Sequence, residues 1–164
     1  MLNCDSYLID GRVLALKSVF TGEYYSKIIT THGTYFSELT PTKLLDQACL
    51  HNLSTREGRI NAVSTVMNYS KKTPFIIAPN EIGVFPTESP KNPDCVWIFN
   101  HRLNVEEVAK GESVVTFMDG TSIQVKVSKN VILKQKHRLH TLMNFSNLMQ
   151  QEKELYAPGV KRLQ

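Results

Sequence analysis

The chain of 164 residues lacks the marks of several large protein classes. No apolar run approaches the roughly 20 residues of a membrane span, so no membrane partner is expected. Its three cysteines, Cys4, Cys49 and Cys95, are odd in number, far apart and form no CxxC pair. That disfavours a zinc site and a disulfide framework. It fits reduced thiols in a cytosol, with Cys49 and Cys95 packed as small hydrophobes. The start, Met1-Leu2-Asn3-Cys4-Asp5, has neither a basic nor an apolar stretch, and no signal peptide is expected. There is no P-loop, no GxGxxG after a strand, no HExxH and no GxSxG, so the expectation is a non-enzyme without a cofactor. His137 and His140 stand one helical turn apart, but no carboxylate or thiolate lies near in sequence to complete a metal set. A Cys–His nucleophile on Cys49 or Cys95 has no local sequence support.

The most informative absence is of one sign of charge. From Thr121 to Gln151 there is no acid, while the stretch holds Lys126, Lys129, Lys134, Lys136, His137, Arg138 and His140. The net charge of +4 hides this imbalance: residues 1–120 carry 11 Lys and Arg against 13 Asp and Glu, residues 121–164 carry 8 against 2. A one-signed surface attracts a polyanion by long-range steering. The alternative is a solvated helix face. What is present is otherwise ordinary for a globular protein, with 41% hydrophobic and 21% charged residues.

Periodicity and turn residues predict an α+β fold: a strand-rich domain over residues 6–150, with β-hairpins and three helices, and a loose polar tail over residues 151–164. Strands are expected at Ser6–Ile9, Val13–Leu16, Tyr24–Thr30 and Tyr35–Leu39, the last two joined by a turn at Thr31-His32-Gly33-Thr34. Pro41–His51 reads as a helix with Thr40 as its cap and Pro41 in its first turn. Ser54-Thr55-Arg56-Glu57 reads as a capping box opening a second helix to Met67. Lys71–Asp94 holds most of the prolines between the short apolar runs Phe75–Ala78 and Gly83–Phe85, which suits strands and turns. Cys95–Phe99 is an apolar strand, with Trp97, Phe85 and Ile98 assigned to the core. Asp119-Gly120 marks a hairpin between Ser113–Phe117 and Ser122–Val127. Ser128 caps a long helix, Lys129–Gln150. Ser26–Thr34 also aligns with Ser113–Thr121, and Leu44-Leu45 with Ile132-Leu133, at a spacing of 87 to 88 residues. This suggests two hairpin–helix units, residues 6–70 and 71–150, related by a pseudo-twofold; the alternative is a chance match between common motifs.

Nucleic-acid features outnumber enzymatic ones. A helix N-terminus offers backbone N–H groups and a positive dipole end, a seat for phosphate. Ser54, Thr55, Arg56, Arg59 and Asn61 lie at such a start, where Gly58 would admit close approach. The helix pair Pro41–His51 and Ser54–Met67 has a helix-turn-helix outline, which any short helical hairpin shares. Lys129, Lys134, Lys136, Arg138 and His140 are candidates for phosphate neutralisation. A rival of another class is a protein-interaction regulator whose basic helix docks on an acidic partner. An RNA-binding module would need exposed interleaved aromatics for base stacking, which are missing.

Ser26-Lys27-Ile28-Ile29, Cys49 followed by Ser54-x-x-x-Gly58-Arg59, Lys72-x-Pro74-x-Ile76, Phe85-Pro86-Thr87-x-Ser89-Pro90, Cys95-x-Trp97-Ile98 and Phe117-x-x-Gly120 together resemble ComK, the competence transcription factor family of Gram-positive bacteria. The likeness runs from about Ser6 to Leu142. It implies a DNA-binding activator of genes for DNA uptake and recombination, cytoplasmic and nucleoid-associated. It also implies recognition of paired A/T-rich boxes, AAAA and TTTT, largely through the minor groove of double-stranded DNA. The family binds as a homodimer or tetramer, with RNA polymerase as the further partner of an activator. The readout fits the physics, since A-tracts have a narrow, strongly negative minor groove. The pattern departs at the tail, which is short. Leu155-Tyr156-Ala157-Pro158 echoes only loosely the Leu-Tyr-Pro by which longer members are captured for an adaptor–Clp protease, so the resemblance lends that partnership weak support here.

Overall fold

The computed structural model of the protein describes residues 2–3 and 9–162. It is an α+β structure of two sheets and three helices among these residues. The strands are β1 (Leu2–Asn3), β2 (Val13–Ser18), β3 (Ser26–Thr30), β4 (Gly33–Ser37), β5 (Phe75–Ala78), β6 (Ile82–Pro86), β7 (Val96–Phe99), β8 (Leu103–Ala109), β9 (Glu112–Phe117) and β10 (Ser122–Val125). Helices α1 (Pro41–His51) and α2 (Arg56–Met67) follow β4, and α3 (Lys129–Arg162) follows β10. The large sheet has the order β1-β4-β3-β2-β7-β6-β5 and the small one β10-β9-β8, all antiparallel except β1 with β4. The first half of the chain joins the second where β2 pairs with β7, Leu16 opposite Trp97.

Strands β5, β6 and β7 are buried along their whole length, which requires cover on both faces. Their continuous apolar runs are the sequence sign of this. Trp97 and Phe75 meet edge to face, with ring centroids 5.9 Å apart, and Phe85 and Ile98 are buried as expected. Helices α1 and α2 pack at β5 and α1 also at β2, while α3 crosses β6 and reaches β5 and β8. The small sheet alternates: Ser113, Val115 and Phe117 of β9 and Ile123 and Val125 of β10 are buried, with their neighbours more exposed.

The crossing of α3 over β6 depends on Gly83. A Cβ there would sit 2.8 Å from both Leu139 Cδ1 and Met143 Sδ. We expect Gly83→Val to cost about 1–3 kcal/mol by overpacking, read as a lower urea midpoint with an unchanged slope.

Helices α1, α2 and α3 start within a residue or two of the expected positions, and the hairpins at Thr31-His32 and Asp119-Gly120 are formed. The strand expected at Ser6–Ile9 lies outside the described residues, Ile9 apart. Three features differ from expectation. Strands β1 and β8 have no counterparts among the expected strands. Helix α3 continues to Arg162 where an end near Gln150 is expected. The cap of α2 is Thr55, not Ser54: its hydroxyl accepts from the Gly58 N–H at 2.9 Å. The aligned segments do share a detail, since Ser26 Oγ donates to Leu39 O at 2.5 Å and Ser113 Oγ to Val127 O at 2.8 Å. Their hairpins lie in different sheets, however, and their helices have 11 and 34 residues, so a pseudo-twofold repeat is not established.

Candidate nucleic-acid interface

Two surfaces carry the residues singled out from the sequence: the turn between α1 and α2, and the outer side of α3. The turn is held from both sides. Asn52 N–H and Ser54 N–H both donate to Cys49 O, at 2.9 and 3.0 Å, and Leu53 N–H donates to Leu50 O at 3.0 Å. Asn52 Nδ2 donates back to Ala48 O at 3.1 Å. On the α2 side, Asp46 of α1 accepts from Arg56 N–H at 2.9 Å. A carboxylate at a helix start complements the dipole, so Asp46 docks the two helices.

This arrangement corrects the phosphate-seat reading. The Arg56 and Gly58 N–H groups are already spent, on Asp46 and on Thr55 Oγ1. A Cβ at position 58 would lie 2.9 Å from that capping hydroxyl, so glycine suits the geometry of the cap. What the turn presents outward is side chains. Asn61 and Thr55 are exposed, and Ser54 and Arg56 are half-exposed.

Arg59 stands apart from the turn. It lines a largely apolar groove of about 590 Å³ between α2 and the distal half of α3, with Val63, Val66, Ile76, Phe145 and Met149 among its neighbours. Its Nε is buried without a hydrogen-bond partner among the described residues. Burial pushes the thiol of Cys49 up to about 11, against the opposing pull of Arg59. Cys49 and Cys95 are both buried free thiols, as expected.

On α3, Ser128 caps the first turn through Val131 N–H at 3.4 Å, and Glu107 of β8 accepts from Lys129 N–H at 2.9 Å. Beyond it Lys129, Lys134, His137 and His140 are exposed and Lys136 half-exposed. Among the described residues the two ion pairs are Arg12–Asp10 and Lys126–Asp94, so none of these α3 cations is neutralised by one. His137 and His140 share a polar depression with Asn80, Asn100, Asn144 and Asn147. No three His, Cys, Asp or Glu side chains come together as a metal site among the described residues.

Arg138 turns inward. Its Nη1 donates to Lys71 O at 3.0 Å and to Gln135 Oε1, and its guanidinium lies 4.2 Å over the ring of Tyr69. Burial holds its pKa below the usual arginine value. Its work in this structure is to pin α3 to the segment before β5, with carbonyl partners 66 and 67 residues away that no local pattern reveals.

The family model for ComK protein matches residues 4–152. The chain belongs to the ComK family. A competence transcription factor of Bacillus subtilis (strain 168) is 29% identical over 137 residues, covering 82% of this chain and 71% of that protein. No solved structure matches this ComK chain. The FPTESPKNPDCVWI block, on which the resemblance chiefly rests, has a structural reason. It runs from β6 to β7, and Thr87 closes the loop by accepting from Val96 N–H at 2.9 Å while Cys95 Sγ donates to Glu88 O. None of the described helices is long and apolar enough to cross a membrane.

Proposed function

We propose that this ComK-family chain is a sequence-selective, DNA-binding transcription activator of the competence type, which reads paired A/T-rich boxes largely through the minor groove. The observation that carries the reading is the outer side of α3, where Lys129, Lys134, Lys136 and His140 stand without ion-pair partners among the described residues, on a segment free of acids. Such a surface neutralises phosphates and releases counterions whatever the base sequence. Selectivity is assigned to the α1–α2 turn, where Arg56, Ser54, Thr55 and Asn61 supply hydrogen-bonding groups. Arg59, with its Nε buried, contributes only through its terminal nitrogens.

The reading includes assembly as a homodimer or tetramer on DNA and work with RNA polymerase in the cytoplasm, at the nucleoid. Phe145, Leu148, Met149 and Leu155 are exposed on distal α3, and Glu152 and Glu154 follow a proximal half rich in lysine. Two such helices side by side and antiparallel would cover the apolar side chains and set acids against lysines.

The test is a titration of a labelled duplex with two A/T tracts one helical turn apart against a G/C-rich duplex, at several salt concentrations, with the mass of the complex measured. We expect a preference for the A/T duplex of tenfold or more and two or four chains per duplex. Equal affinity would remove the selectivity, and no binding at low salt would leave an acidic protein partner for the basic helix.

A further inference from the structure

Leu53 occupies the one position in the α1–α2 turn that the fold would give to glycine. The bonds from Leu53 N–H to Leu50 O and from Ser54 N–H to Cys49 O form a Schellman ending of α1. The residue after the cap then needs a left-handed backbone, and Leu53 has φ 58°. For a residue with a Cβ this conformation is strained. The strain brings Leu53 no packing in return, because it is 97% exposed. Lys72 makes a useful contrast. It too has a positive φ, 48°, but its carbonyl accepts from Gln135 and its Nζ donates to Thr87 O. Its conformation is held by contacts; that of Leu53 is held by the turn alone and serves to present the side chain.

We infer that Leu53 is a wedge which enters the minor groove and partly unstacks a base step when the protein binds A/T-rich DNA. The inference rests on the DNA-binding reading above and gives its site a mechanism. Minor-groove proteins insert single apolar side chains between base pairs and kink the duplex by roughly 20–90°. The chemistry around Leu53 fits that use. From Gln47 to Arg56 there is no acid, and Asp46 just before is held on Arg56 N–H. Leu53 is flanked by Asn52, whose Nδ2 keeps a second hydrogen beyond the one given to Ala48 O, and Arg56 lies three residues on; these donors match the acceptors, adenine N3 and thymine O2, that line the groove floor. Apart from Leu50, which is also exposed, the tip is polar. It lacks the broad apolar surround of a protein hot spot.

The substitution Leu53→Gly tests this cleanly, because glycine suits the backbone of the turn. We expect Leu53→Gly to melt about 2–4 °C higher than the parent, to bind the A/T duplex at least tenfold more weakly, and to leave the DNA straight. Bending is read by energy transfer between dyes on the duplex ends, and Leu53→Met should keep both affinity and bend. If the parent binds A/T duplex but leaves it straight, or Leu53→Gly binds and bends as the parent does, the wedge is wrong while the DNA-binding reading stands. A lower melting temperature for Leu53→Gly would show that the leucine serves the fold, and would also overturn it. If the parent binds no duplex, the DNA-binding reading fails first.

Discussion

Gln135→Leu is expected to destabilise the protein by about 2–5 kcal/mol, a large share of the roughly 5–15 kcal/mol that holds a domain of this size together. Gln135 is 2% exposed and sits on the face of α3 that meets the large sheet. Its Nε2 donates to Lys72 O at 2.7 Å and to Pro86 O at 2.8 Å, and its Oε1 accepts from Arg138. Leucine fills a similar volume but can donate nothing. The buried Pro86 carbonyl would lose this donor at about 1–3 kcal/mol, the part-buried Lys72 carbonyl would keep only its longer bond from Arg138, and Arg138 would lose an acceptor for a guanidinium already short of water. Urea unfolding followed by circular dichroism measures the loss. A loss under 1 kcal/mol would show that water reaches those carbonyls and that Gln135 is not the clasp described. Arg138→Ala should destabilise in the same direction and by less, since Lys71 O and Lys72 O lie nearer to solvent.

The same clasp shows where sequence reading stops. Residues whose structure is decided by near neighbours were legible. Thr40 and Pro41 open α1, Ser128 opens α3, and Asp119-Gly120 makes a hairpin, because caps and turns are settled within about four residues. Strand β8 was not legible. Its Glu106-Glu107-Val108-Ala109 stretch has poor strand propensity, and it forms because β9 offers a partner and Glu107 caps α3, 22 residues on. The cap of α2 is Thr55 where Ser54 is expected, a choice between two good capping residues, and Asp46, ten residues before Arg56, binds the N–H next to the cap. Arg138 read as one more cation on a basic helix, and only the chain fold shows its carbonyl partners. Leu53 was invisible for the opposite reason. It lies just past the expected end of α1, where nothing local singles it out until the backbone shows it standing in the open.

Neutralising two lysines of α3 should separate the residues that hold DNA from those that hold the protein. For Lys134→Gln with Lys136→Gln, affinity for duplex DNA should fall about 10–100-fold near physiological salt. The fall should be the same for A/T-rich and G/C-rich duplexes, since phosphate contacts carry no sequence information. A log–log plot of affinity against salt should become shallower by about two units, one for each phosphate that a lysine no longer neutralises. Stability should hardly change, because neither lysine has an ion-pair partner among the described residues to lose. An unchanged slope would mean that this side of α3 does not touch the DNA backbone. The two helices then differ in kind: substitutions on the outer side of α3 should scale all DNA binding together, whereas Leu53→Gly at the α1–α2 turn should remove the preference for A/T and the bend that goes with it.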